Sequence, residues 1–277
     1  MNKNFATLLA GFAGALVQTV SQAAPAPLPE GFGVVAHHAT VPAVWSTTSG
    51  ESPGTVDRPV IERTCATKRA LGVTTRLPIF EAGSDRPNSV TIVQIVSPGA
   101  WASYETIRGN VCDPSSMDAA HDLCSCTFRE MTSRFVHIRK DAGDATTVID
   151  IDLNKASATQ SQRKSMPLRK PGNLDASQFG PVVAHEVVAG MPCSVHRQDL
   201  GTGRTERCLA DAVDSVPVEL QLQELSKAMY LLQGTEAVRR DWRRTDRIDA
   251  AAEVDLGVFD VPAGIEVRNF GPGAARP

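Results

Sequence analysis

Six cysteines, Cys65, Cys112, Cys124, Cys126, Cys193 and Cys208, follow an N-terminal stretch that reads as an export signal, and this combination constrains the fold more than any other feature. Lys3 precedes the unbroken non-polar run Leu8 to Val17, and Ser21-Gln22-Ala23 supplies the small residues that a signal peptidase needs. The run is about half of the ~20 residues that span a bilayer as a helix, so Met1 to Ala23 is expected to be removed rather than retained as an anchor. Leu9-Ala10-Gly11 resembles the box before a lipidated cysteine, but Phe12 stands where that cysteine is required. The mature chain is therefore expected to be periplasmic or secreted, without a transmembrane segment, in a compartment where thiols oxidise.

An even set of six cysteines allows fifteen complete pairings, and one bridge can be argued from turn chemistry. A two-residue hairpin loop at Leu200-Gly201, inside Asp199-Leu200-Gly201-Thr202, sets Cys193 directly opposite Cys208. Facing Cβ atoms across an antiparallel pair lie ~4.5–5.5 Å apart, close to what a disulfide needs. Closing a loop of this size contributes roughly 3 kcal/mol on the chain-entropy model. Cys124 and Cys126 are too near in sequence to pair easily with each other. Cys65 and Cys112 are left as their partners, in either assignment.

The pattern of apolar residues favours sheet. Aromatic residues are only 5% of the 277-residue chain, so aliphatic side chains must form most of the core. Ser89 to Val96 is apolar on nearly both sides and reads as a strand covered on both faces, ended by Pro98-Gly99. Ala100 to Ile107 reads as a second strand or a helical turn, and Ile61 to Pro78 as a strand or a short helix. Arg134 to Lys140, the turn Asp141-Ala142-Gly143-Asp144 and Thr146 to Leu153 form the strongest hairpin signal. Asn154-Lys155 then turns into a polar strand, Ser157 to Arg163. Val182 to Val188 and Cys193 to Leu209 supply three more strands, and Glu253 to Val261 the last.

Two helices are expected beside this sheet. Ser215 is placed to cap one whose positions Val218, Leu222, Leu225, Met229 and Leu232 recur at spacings of four and three. Glu236 to Arg247 is expected to continue as a second. The fold class is thus α+β: a curved antiparallel sheet, an incomplete barrel, with one or two packed helices, stabilised by disulfides. The domain plan is a signal at 1–23, a loosely ordered Pro/Ala/Ser-rich leader at 24–54, a single β-rich domain at 55–267 with a cysteine-clipped loop at 112–126, and a disordered tail at 268–277.

Thr147-Val148-Ile149-Asp150-Ile151-Asp152-Leu153-Asn154-Lys155 before a polar strand, Val188-Ala189-Gly190-Met191-Pro192-Cys193 leading into a hairpin, and the late Phe259-Asp260-Val261-Pro262-Ala263-Gly264 carry a resemblance. Across Ser89 to Val267 the chain resembles exported proteins of the LolA/LppX-like lipoprotein-carrier superfamily, in style its uncharacterised branches. The resemblance implies an incomplete barrel closed by helices, with an apolar concave face that receives acyl chains. The insert Cys112 to Cys126 departs from that pattern, and no ligand-binding residue of the superfamily maps onto a particular position here.

Few motifs carry chemistry. His121, Cys124 and Cys126, with Cys112 nearby, have the ligand types of a zinc or copper site, but export oxidises thiols and the cysteine count is even, so disulfides are expected and no metal or other cofactor. His37 and His38 are adjacent and point apart in an extended chain. His185-Glu186 opens like a zincin motif, yet position 189 is Ala where the second His is required. No Gly-x-Ser-x-Gly elbow occurs, and Gly201-Thr202-Gly203 lacks the rest of a dinucleotide fingerprint. Asp150 and Asp152 share a strand face, as a solvated face also requires. The formal charge of −3 is too small to imply nucleic-acid binding.

The one local charge cluster is Arg239, Arg240, Arg243, Arg244 and Arg247 around Trp242. On a helix, Val238 and Trp242 would edge a basic face able to meet anionic headgroups or an acidic partner. The function expected from all this is a non-catalytic cell-envelope protein that binds an apolar or amphipathic ligand such as a lipid or acyl chain. The alternative is an envelope protein with a filled core that works through protein contacts; a metal-dependent enzyme built on Cys112 to Cys126 ranks third.

Overall fold

The structure, a computed structural model, describes residues 25–52, 58–73, 76–82, 87–116, 123–164, 176–211, 224–233 and 236–270. The proposed signal, His121 and the start of the expected helix at Ser215 to Leu222 lie outside them. The elements are β1 (Thr40–Ser52), α1 (Arg58–Ala70), β2 (Ile79–Phe80), β3 (Asn88–Ser97), β4 (Ala100–Cys112), β5 (Thr127–Ala142), β6 (Ala145–Asp152) and β7 (Ser157–Lys164). They continue with β8 (Val182–Val188), β9 (Met191–Leu200), β10 (Gly203–Ala210), β11 (Glu224–Gln233), β12 (Glu236–Asp255) and β13 (Glu266–Phe270). All described strands join one 13-stranded sheet in the order β13-β7-β6-β5-β4-β3-β1-β12-β11-β10-β9-β8, with the short β2 beside β5. Pairing is antiparallel except that β13 runs parallel to β7 and β2 parallel to β5.

The α+β expectation is corrected by this architecture. Glu224 to Leu232 and Glu236 to Arg247, where packed helices are expected, lie in strands β11 and β12, paired from Gln233↔Glu236 to Ser226↔Arg244. The spacing from Leu225 to Met229 is four, which is as compatible with one face of a strand as with one face of a helix. With β10 on one side and β1 on the other, cross-strand pairing overrides a weak helix propensity. Among the described residues α1 is the only α-helix, and it is no core element: Cys65 is its sole buried side chain. It ends at Gly72, whose φ of 79° suits the left-handed residue that stops a helix.

The leader is corrected too. Thr40 to Ser52 is not loosely ordered but forms β1, a central strand held between β3 and β12. At the other end Arg268 to Phe270, expected in a disordered tail, complete β13 against Thr159 to Ser161.

Strand β12 divides the sheet into two wings. The large wing, β1, β3–β7 and β13, carries a core of Trp45, Ile95, Tyr104, Val136, Ile138, Ile149 and Ile151 on its inner face. Leaving β12, the chain makes one turn of 3-10 helix at Leu256–Phe259 and crosses to the far edge, so that Val258 and Phe259 fill the hollow of the sheet. Tyr104 donates its hydroxyl to the Val258 carbonyl and meets Phe32 edge-on, ring centres 5.1 Å apart. Burial, reinforced by the nearby Asp260 charge, holds the Tyr104 phenol protonated well above the ordinary tyrosine range. Asp255 accepts from the backbone N–H groups of His37, Gly257 and His38, which keep its carboxyl below the usual range and tie the N-terminal segment to this turn. Gly257 has no room for a side chain: a Cβ there would stand 1.7 Å from the Val35 carbonyl oxygen.

The small wing, β8–β11, has a slighter core of Val188, Cys193, Val195, Cys208 and Leu225. It curls back until the edge strand β8 meets β12, where Arg244 reaches Glu186 at 3.4 Å and the Val187 carbonyl at 3.5 Å.

Three disulfides staple the sheet. Cys65 to Cys124 (Cα atoms 5.6 Å apart) pins α1, and Cys112 to Cys126 (5.7 Å) closes the loop after β4. Cys193 bonds Cys208 with Cα atoms 5.5 Å apart. The register behind that bridge differs from the expected one: Leu200 pairs with Gly203, so the loop is Gly201-Thr202, and Cys193 faces Ala210 while Cys208 faces Val195. The cysteines are diagonal neighbours, beside the register shift at Cys208/Leu209 where β11 carries the extra residue Leu225.

A polar cleft between the two wings

Where the wings diverge from β12, β1, β3, β11 and β12 enclose a cleft of about 250 Å³. Local irregularity makes it. The pairing of β1 with β12 shifts register between Thr47 and Thr48, and such bulges bend a strand and increase its twist. Just beyond, Gly50 lets the backbones close: a Cβ there would lie 2.3 Å from the Trp242 carbonyl oxygen.

Thr48 and Thr245 face each other across β1 and β12, with hydroxyl oxygens 3.4 Å apart, and Ile92 and Gln94 line the β3 side. The opposite wall is Glu224, Leu225, Ser226 and Lys227 of β11, and Asp241 and Arg243 of β12 complete the lining. Leu225 and Thr245 are buried, whereas Arg243 is exposed at the mouth. Charge is unevenly matched. Arg207 donates to Glu224 at 2.6 Å and stacks its guanidinium 5.0 Å from the Phe179 ring centre. Lys227 and Arg243 have no ion-pair partner among the described residues.

Three buried polar atoms without a hydrogen-bond partner among the described residues sit in or beside this cleft: Asp241 Oδ1, Ser46 Oγ and Arg207 Nε. Ser46 is opposite Gln94, and Arg207 is opposite Lys227. Buried polar groups in proteins are almost always satisfied, and each exception wants a water, an ion or a ligand. The cleft presents hydroxyls, a carboxamide, one unsatisfied carboxylate and two unpaired cations, but no histidine or cysteine. That inventory holds a small polar molecule; it does not supply a nucleophile with its base.

The residues singled out from sequence scatter. Arg243 enters the cleft, Arg244 goes to β8, and Arg239 stacks 5.0 Å from the Trp242 ring, whose Nε1 donates to Glu51 at 3.0 Å. Arg239, Arg240, Arg243 and Arg244 lie on a strand with a register shift opposite Met229/Tyr230, so the single basic helical face does not exist. Asp150 and Asp152 each have their own partner, His137 at 2.8 Å and the Lys155 side chain at 2.9 Å. Ser194 lies 3.2 Å from His185 and donates to Asp211 at 2.6 Å, an exposed polar cluster of β8, β9 and the residue after β10. Among the described residues no group of three His, Cys, Asp or Glu is placed to hold a metal, and Cys112, Cys124 and Cys126 are all in disulfides.

Ser103, His137 and Asp150 stand opposite one another on β4, β5 and β6, in the residue order of a hydrolytic triad. No hydrogen bond joins Ser103 to His137, and all three are mid-strand residues inside the sheet, whose backbone N–H groups are committed to the ladder rather than free for an oxyanion. The row is a polar stripe on the sheet.

Sequence reasoning missed Thr48, Gln94, Lys227 and Asp241. Thr48 lay in the supposed leader, and Lys227 and Asp241 in the supposed helices. One signal pointed to them: Gly234-Thr235 between two runs of alternating residues is a short-hairpin signature, and Gln233 does pair with Glu236.

Fold and site together define the class: a disulfide-stapled protein, mainly sheet among the described residues, with a polar cleft at the junction of its wings. The chain matches no family model and no curated protein. No helix among the described residues is long and apolar enough to cross a membrane.

Proposed function

We propose that this is a non-catalytic binding protein of an oxidising compartment, periplasmic or secreted, and that the cleft between the wings receives a small polar ligand. The observation that carries this reading is Asp241 Oδ1, buried and unsatisfied in the cleft lining, with the equally unsatisfied Ser46 Oγ and Arg207 Nε on residues paired across the sheet with the lining residues Gln94 and Lys227. Three disulfides and no free cysteine among the described residues support the compartment. An acyl-chain carrier would need its hollow empty, and here Phe32, Val258 and Phe259 occupy the inner face of the large wing. The remaining cavity is lined mainly by charged and hydroxyl-bearing side chains, which suits a hydrated ligand better than a lipid.

Gentle mass spectrometry of protein purified from its own compartment tests this. A co-purifying polar small molecule that is lost in the Asp241→Asn, Arg243→Gln double variant is expected. A bound lipid that survives those substitutions would return the acyl-chain reading.

A further inference from the structure

Across β10, β11 and β12, Arg207 stands opposite Lys227 and Lys227 opposite Arg243, so three cations occupy successive positions of one cross-strand row. Like charges directly opposite destabilise a sheet. Arg207 is neutralised by Glu224, whereas nothing described neutralises Lys227 or Arg243, and both line the cleft. Two unpaired cations held side by side make a seat for an anion, and a guanidinium favours a planar carboxylate that it can grip with two parallel hydrogen bonds.

An anion alone leaves Asp241 unexplained. It lies two residues from Arg243 on the same strand, lines the same cleft, and keeps one buried oxygen without a donor. A multiply charged anion such as phosphate would be repelled by that carboxylate, while a ligand carrying its own ammonium group would satisfy it. The charges add up simply. With Arg207 and Glu224 cancelling, Lys227 and Arg243 against Asp241 leave one positive charge, which a ligand of net charge −1 balances.

We propose that the cleft binds a free α-amino acid, best one with an acidic side chain, with Lys227 and Arg243 on its carboxylates and Asp241 on its ammonium group. This rests on the cleft being the ligand site. The Thr48, Thr245 and Ser226 hydroxyls supply the neutral hydrogen bonds around it.

Isothermal titration of the full mature protein with L-glutamate, L-alanine, succinate and inorganic phosphate tests the assignment. L-Glutamate is expected to bind most tightly and succinate, which lacks the ammonium, roughly 10- to 100-fold more weakly. Asp241→Asn should remove that preference, weakening L-glutamate and, by relieving the repulsion, tightening succinate; Arg243→Gln and Lys227→Gln should weaken both. The free Arg243→Gln and Lys227→Gln proteins should melt no lower than the parent, because each relieves a like-charge contact. A lower melting point in both would make the row structural and overturn the proposal. Binding of succinate or phosphate but of neither amino acid, abolished by Arg243→Gln, would overturn the amino-acid assignment while keeping the cleft as the site. No binding of any of the four, with a native ligand that survives Arg243→Gln, would overturn both.

Discussion

The two wings that meet at β12 reach stability by different means. On the large-wing side fifteen buried residues from seven strands, including β12, from the segment before β1 and from the crossing turn Leu256–Phe259 form one cluster. In the small wing the corresponding cluster has five, and two of these are the bonded Cys193 and Cys208. Four short strands that cover each other on one side only cannot bury enough apolar surface to offset their ordering entropy, and the covalent link lowers the entropy of the unfolded chain instead. The same economy leaves room for function. A tightly filled wing has no space for a ligand, whereas the seam between a filled wing and a stapled one can keep unsatisfied polar groups.

The contrast can be broken by substitutions, beginning with the largest expected effect. Ile138→Ala, in the centre of the large wing, should cost about 2–5 kcal/mol and lower the denaturation midpoint of the whole chain, since β12 belongs to both wings. Replacing Cys193 and Cys208 together by Ser should cost roughly 3 kcal/mol on the chain-entropy model. Hydrogen exchange should then report β8, β9 and β10 opening before β3 to β6. Simultaneous loss of protection in both wings would show that they are one cooperative unit and remove the comparison.

Two smaller effects concern the strap across the large wing. Tyr104→Phe leaves the Val258 carbonyl without its donor and should cost about 1 kcal/mol at neutral pH. The folded phenol ionises at higher pH than the unfolded one. The parent should therefore lose stability as pH rises above about 10, the ordinary tyrosine value, and the Phe variant should not show that slope. Asp255 works in the opposite direction. Its carboxyl is held low in the fold, so its contribution is present above the ordinary carboxylate range of about 4 and fades as pH falls through the lower folded value. The melting difference between the parent and Asp255→Asn should accordingly shrink on acidification below about pH 4, measured by thermal denaturation across that interval.

Legibility followed locality. The hairpin from β5 to β6 was readable because Asp141 to Asp144 is a turn cluster between alternating runs, and the structure turns at Gly143-Asp144. The run β8 to β10 was readable for the same reason, although its register slid: a turn cluster of four residues contains more than one two-residue loop, and the sequence does not choose between them. Strands β11 and β12 were not readable. The apolar residues of β11 recur at four and three and Val238 and Trp242 of β12 are four apart, and only neighbours far away in sequence, Gly203 to Leu209 on one side and Thr40 to Glu51 on the other, decide for strand. β1 was hidden because Thr40-Val41-Pro42-Ala43-Val44-Trp45 follows a Pro-rich stretch and has weak periodicity; its identity comes from being sandwiched.

What the residues determined alone was a β-rich chain with an even cysteine set and the bond between Cys193 and Cys208, because turns, alternation and short-range bridges are properties of neighbours along the chain. The tertiary structure decided the partners of Cys124 and Cys126, the conversion of two expected helices into strands, and the cleft itself. Thr48, Lys227, Asp241 and Arg243 come from strands up to nearly two hundred residues apart, and no local pattern announces that they face one another. Cross-strand pairing is a long-range choice made by the whole sheet at once, and the site exists only after it has been made.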